Sequence, residues 1–139
     1  MLKDPSLRNI IKQIDFLKDV DDNHIDKIIG ELIEVSFEPN EFILKEGRQG
    51  GSFFFLMDGT VSIWHSEDES ELTKIATIEA PSYFGELALL HEKNRNATIK
   101  TETAVSACML CKEAFKELIM KNEKIKNDLS KYSKSRLQK

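Results

Sequence analysis

The sequence predicts an α+β domain that is mainly β, with helices at both ends and short strands between them. Three observations carry this. Apolar residues recur at three- and four-residue spacing near both termini. From Glu34 to Cys111 the texture changes to short β-rich runs bounded by turn signals. The 139 residues are enough for one domain and too few for two.

The elements follow in order. Leu7, Ile10, Ile11, Ile14 and Leu17 predict a first helix. Ile25, Ile28, Ile29, Leu32 and Ile33 predict a second, with Asp21 or Asp22 as its cap. The strands open with IEVSFE, then Pro39-Asn40, then EFILKEG. SFFFLM runs into Asp58-Gly59 and TVSIWH, a sequence that predicts a hairpin. The polar SEDESE joins TVSIWH to LTKIATI as a second hairpin. Further strands are expected at Asn96–Thr101 and Ala104–Cys111. Many short strands of this kind form a sandwich, barrel or jelly roll. Phe115, Leu118 and Ile119 mark one short closing helix. Ile125, Leu129, Tyr132 and Arg136 or Leu137 mark another, with Asn122 as a cap between them. The narrow apolar stripe of this last helix predicts weak packing and freedom to move.

Composition excludes several classes. Hydrophobic residues are 40% and charged residues 32%, as in soluble globular chains. No apolar run approaches the roughly 20 residues of a membrane span, and MLKDPSLRNI lacks a signal-peptide core. Two cysteines predict a reducing, cytoplasmic setting and no disulfide scaffold. The net charge of −4 is unevenly placed: residues 112–139 carry +5 and residues 1–111 carry −9. An acidic body is not the footprint of a nucleic-acid binder, and the basic tail reads first as a solvated helix face. Cys108 and Cys111 lack the helix or second pair of a metal or redox motif. His24, His65 and His91 are scattered over three elements, so no metal site is expected. Phe53, Phe54 and Phe55 read as core.

One segment breaks the strand pattern: YFGELALLHEKNRNATIKT, Tyr83–Thr101. A glycine leads into Glu-Leu-Ala-Leu-Leu, a run of strong helix formers, where a plain hairpin needs two to five residues. The first turn of such a helix offers unbonded N–H groups to an anion. Gly85 allows close backbone approach. Arg95, nine residues after Glu86, brings a planar fork suited to phosphate. Glu86 can accept from a sugar hydroxyl. Together they describe a seat for a phosphorylated ribose.

FGELALLHEKNRNAT resembles the phosphate-binding cassette of cyclic-nucleotide-binding domains, in which Phe-Gly-Glu-aliphatic-Ala-Leu precedes an arginine and a small residue. EFILKEGRQGGSFFFLMDGTVSI resembles the glycine-marked roll of the same family, through Gly47, Gly50 and Gly59. The resemblance covers roughly residues 10–135. It implies an eight-stranded β-roll or jelly roll with a short phosphate-binding helix, flanked by N-terminal and C-terminal helices. Residues 1–33 would form the N-terminal helices, 34–111 the roll with its cassette at 84–98, and 112–139 the C-terminal lid helices. The resemblance further implies that Arg95 pairs with the cyclic phosphate and Glu86 accepts the ribose 2′-hydroxyl. The N–H groups of Leu87 and Ala88, after Gly85, would complete the cradle beside Asn96 and Ala97. Leu129, Tyr132 and Arg136 would be lid contacts on the base.

The sequence departs from the family pattern in places. Gly51 stands where an aspartate commonly pins the arginine, Arg48 replaces another aspartate, and Asn94 replaces a proline. Asn96 follows the arginine where cGMP-selective members carry threonine or serine, and its side-chain oxygen can accept from the guanine amine. That favours cGMP slightly over cAMP. Ala76 stands where some cGMP sites place an arginine, and Lys74 on the same strand face could substitute for it.

The function implied is that of a regulatory module, not itself an enzyme, with no cofactor beyond its cyclic-nucleotide ligand. Closure of the last helix would transmit the signal to a kinase catalytic domain in cis or in trans. Two alternatives stay open. One is a degenerate, ligand-free domain of the same fold that serves in interaction or spacing. The other is the sensor half of a bacterial transcription regulator.

Overall fold

The computed structural model describes residues 5–45, 51–66, 71–91 and 97–137. The chain begins with α1 (Pro5–Ile11), a 3-10 turn (Asp15–Leu17) and α2 (Asp22–Gly30). Two strands follow, β1 (Ile33–Phe37) and β2 (Phe42–Leu44). Then come β3 (Ser52–Asp58), β4 (Thr60–His65), β5 (Thr73–Glu79) and β6 (Ser82–Phe84). The short α3 (Glu86–Leu90) precedes β7 (Thr98–Thr101) and β8 (Val105–Cys111). The chain closes with α4 (Lys112–Phe115), a π turn (Lys116–Met120) and α5 (Glu123–Leu137).

The strands form two antiparallel four-stranded sheets, in the orders β1-β8-β3-β6 and β2-β7-β4-β5. This is the eight-stranded roll that the resemblance implied, counted among the described residues. The packing of β3 explains why its sequence is apolar at every position from Phe53 to Met57 rather than alternating. Phe53 and Phe55 point into a core shared with the helices, including Leu17, Ile25, Phe115 and Leu129. Phe54 and Leu56 point into a second core between the sheets, with Val61, Phe84 and Ile99. Successive strand side chains face opposite sides, so a strand covered on both faces is apolar throughout.

The helix ends follow the expected chemistry. Asp21 is the cap of α2: its Oδ1 accepts from the His24 N–H at 2.9 Å. Asn122 caps α5, accepting from the Ile125 N–H at 3.1 Å. The His24 ring reaches across to the Leu118 carbonyl at 2.8 Å. A carbonyl only accepts, so Nε2 is the donor there, tying α2 to the π turn.

Three expectations are corrected. The stretch from Leu7 to Leu17 is not one helix: Ile14 is extended, and the 3-10 turn that follows buries both Phe16 and Leu17. Ile33 does not continue α2 but opens β1, where it is 53% exposed. Asp58-Gly59 does not close a hairpin, since β3 and β4 lie in different sheets. It is a corner between sheets. Gly59 takes a φ of 98°, and a Cβ there would run into the Ala104 carbonyl. The expected hairpin between TVSIWH and LTKIATI is present as the β4–β5 pair. β6, only three residues long, was not legible in the sequence.

Candidate functional site

The chain leaves β6 and turns into α3 through Gly85, whose φ is 90°. A side chain in that left-handed conformation would be strained. The turn aims the start of α3 at a cleft beside the second sheet. Gly85, Glu86, Leu87 and Ala88 line it together with Ile63, Ile75, Ile78, Ala97 and Arg136.

Glu86 is 2% exposed. A buried carboxylate is costly unless it is paired and hydrogen-bonded, and α5 supplies both. Ser133 Oγ donates to Glu86 Oε2 at 2.7 Å, and Arg136 Nη2 donates to the same oxygen at 2.8 Å. Arg136 is held in turn. Its Nη1 donates to the Tyr83 carbonyl at 2.7 Å and to Ser82 Oγ at 3.3 Å. Its guanidinium carbon lies 4.0 Å from the Tyr83 ring centroid. Burial pushes the Tyr83 phenol above its ordinary pKa, and its hydroxyl donates to Asp15 Oδ2 at 3.4 Å. The helix α5, the strand β6 and the helix α3 thus meet on one carboxylate.

The structure brings Gly85, Glu86, Leu87, Ala88 and Ala97 to one cleft. Arg95 and Asn96 lie outside the described residues, as do Arg48 and Asn94. Gly51 is exposed, with open space where a Cβ would stand. Among the lid candidates, Arg136 borders the cleft. Leu129 is fully buried in the helix-side core. Tyr132, 36% exposed, borders a different cleft with Asp15, Asp19 and Asp128. Ala76 is exposed on β5 beside the cleft, and Lys74 is engaged with Glu102 at 3.3 Å. Sequence reasoning missed Ser133, which is 1% exposed. The available signal was its position four residues after Leu129 and three before Arg136, on one helix face.

Cys108 and Cys111 are free thiols, and burial pushes the Cys108 thiol up to about 11. Among the described residues, no group of three or more His, Cys, Asp or Glu could hold a metal ion. Also among them, no helix is long and apolar enough to cross a membrane.

Comparison with known proteins agrees with this geometry. Residues 34–122 match the family described as the cyclic nucleotide-binding domain. The human cGMP-dependent protein kinase 2 is 30% identical over 132 residues, which are 94% of this chain and 17% of that protein. Among solved structures, the regulatory domain of Toxoplasma gondii PKA in complex with cAMP superposes with a TM-score of 0.84 at 23% identity, over 92% of this chain and 48% of that one. A PKAR CBD2 bound to Sp-2Cl-cAMPS gives 0.76 at 33% identity, over 93% of this chain and 86% of that one. The chain therefore spans a small part of the human kinase. With a matching family pattern over most of its length and a roll of the same topology, it belongs to the cyclic nucleotide-binding domain family.

Proposed function

We propose that this chain is a regulatory module that binds a 3′,5′-cyclic nucleotide and passes the signal on through its last helix. The observation that carries the reading is the buried carboxylate of Glu86 at the wall of the cassette cleft. A buried acceptor already paired with Arg136, in a cleft otherwise lined by apolar side chains, suits a neutral hydroxyl donor, such as a ribose 2′-hydroxyl. In this reading Arg95 holds the phosphate, aided by the N–H groups of Leu87 and Ala88. Asn96 favours cGMP over cAMP. Residues 1–33, 34–111 and 112–139 serve as the N-terminal helices, the roll and the lid.

The effector is a protein kinase, in cis or in trans. This is supported by the human relative, a cGMP-dependent protein kinase, and by the solved PKA regulatory domain. The module itself is non-catalytic. The free thiols suit a reducing cytoplasm.

Calorimetric titration with cAMP and cGMP tests the reading. Saturable binding at one site is expected, and Arg95→Ala should weaken it about 10- to 100-fold, as expected for a lost charge-assisted hydrogen bond. Absence of heat and of any thermal shift at millimolar nucleotide would overturn it. That result would favour a second reading, a ligand-free domain of the same fold, for which Gly51 in place of the pinning aspartate speaks.

A further inference from the structure

We infer that Arg136 and Ser133 on α5 are positioning residues for the ribose-reading carboxylate, so that the last helix completes the ribose subsite and does more than cover it. The inference rests on the cyclic-nucleotide reading above and concerns how that site discriminates the sugar.

Both side chains donate to the same oxygen of Glu86, Oε2, at 2.7 and 2.8 Å. Two fixed donors on one oxygen set the carboxylate's rotation and assign Oε1 to a ligand hydroxyl. The Nη1 of Arg136 donates to the Tyr83 carbonyl and the Ser82 hydroxyl, and the Tyr83 ring lies against the guanidinium face. The guanidinium is therefore clamped between α5 and β6 and presented to Glu86. The Arg136 side chain is 26% exposed against 3% for that of Glu86, so the pair sits at the inner edge of the cleft. A carboxylate oriented in this way reads a hydroxyl strongly, because a hydrogen bond weakens steeply with misalignment. With α5 displaced, Glu86 loses both orienting donors and its counter-charge together. The helix that moves and the group that reads the sugar are thus one unit.

The test compares cAMP with 2′-deoxy-cAMP, which lacks the hydroxyl, on the whole 139-residue chain. Any general cost of loosening α5 falls on both ligands and cancels in the ratio of their affinities. In the wild-type protein cAMP is expected to bind about tenfold or more tightly than the deoxy ligand, the worth of one hydrogen bond to a charged acceptor. Arg136→Gln and Ser133→Ala should each shrink that ratio toward one. Arg136→Lys, which keeps the charge without the fork, should fall between. Should Arg136→Gln fail to fold, Ser133→Ala and Arg136→Lys still report the ratio. Equal losses on both ligands, with the ratio unchanged, overturn the inference and leave the cyclic-nucleotide reading standing. A wild-type protein that binds neither ligand overturns both.

Discussion

Leu129→Ala tests how α5 is held. Leu129 is fully buried and Ile125 is 3% exposed, and these are the helix's two side chains in the helix-side core. Its polar attachment runs through Ser133 to Glu86 and through Arg136 to Glu86, Tyr83 and Ser82. Its other described ion pair, Lys124 with Asp128 at 2.9 Å, lies within the helix and docks nothing. Truncating a buried leucine removes transfer free energy and leaves a cavity, together about 2–5 kcal/mol. If α5 opens by itself, that cost acts directly on its docking equilibrium. At 1.4 kcal/mol per factor of ten, the opened population rises about 30- to several-thousand-fold. Hydrogen exchange read by mass spectrometry measures it: amides of residues 123–137 should exchange faster by that factor. Those of β3 and β8, in the middle of the first sheet, should stay more protected than α5 in both proteins. Acceleration below about fivefold would refute the anchoring role of Leu129. Helix amides as protected as those of β3 would refute independent opening.

Three further outcomes are expected. Asn96→Ala should cost cGMP more affinity than cAMP in side-by-side titrations, and equal losses remove the basis for a cGMP preference. Gly59→Ala should lower Tm, because a φ of 98° costs a side chain about 1–2 kcal/mol before the collision with the Ala104 carbonyl is counted; an unchanged Tm contradicts the corner geometry. Glu102 accepts from the Ser62 hydroxyl at 2.6 Å and lies 3.3 Å from Lys74, and these hold its carboxyl below the ordinary 4.5. A depressed folded-state pKa stabilises above the unfolded-state value and is lost as pH falls through the folded one. Wild type should therefore melt above Glu102→Gln at pH 7, and the gap should close below pH 4.5. A gap of constant size down to pH 3 contradicts the coupling.

The turn into α3 was legible because its signals are local. A glycine that must take a left-handed turn and a glutamate beside it sit next to each other in sequence, as do the helix formers that follow. Capping was legible for the same reason at Asp21 and Asn122. What escaped depends on partners far along the chain. Asp58-Gly59 carries the right local signal for a turn, and the glycine does take a positive φ. Whether the flanking strands pair with each other is decided elsewhere, by β3 choosing β6 and β8. β6 is too short to show a period. Along α5 the inward face holds Ile125, Leu129 and Arg136 as the spacing implies, and only Tyr132 departs, being 36% exposed. With so few apolar positions, the pattern admitted Tyr132 on the inner face, whereas Ser133 faces inward because a buried carboxylate 47 residues earlier needs a donor.

The two-sided burial of β3 bears on where the chain can be cut. One face of β3 closes the sandwich, and the other is roofed by α1, α2, α4 and α5 through Leu7, Ile28, Phe115 and Leu129. A fragment ending at Cys111 would keep all eight strands and the N-terminal part of the roof, yet lose Phe115, Ile119, Ile125 and Leu129 and so uncover the part of the face where Phe115 packs on Phe53. Surfaces of that kind drive self-association. The smallest soluble piece therefore extends past residue 122, where the family match stops, at least through Leu129. The segment proposed to signal is also masonry: a truncation meant to silence it would first take away part of the roof.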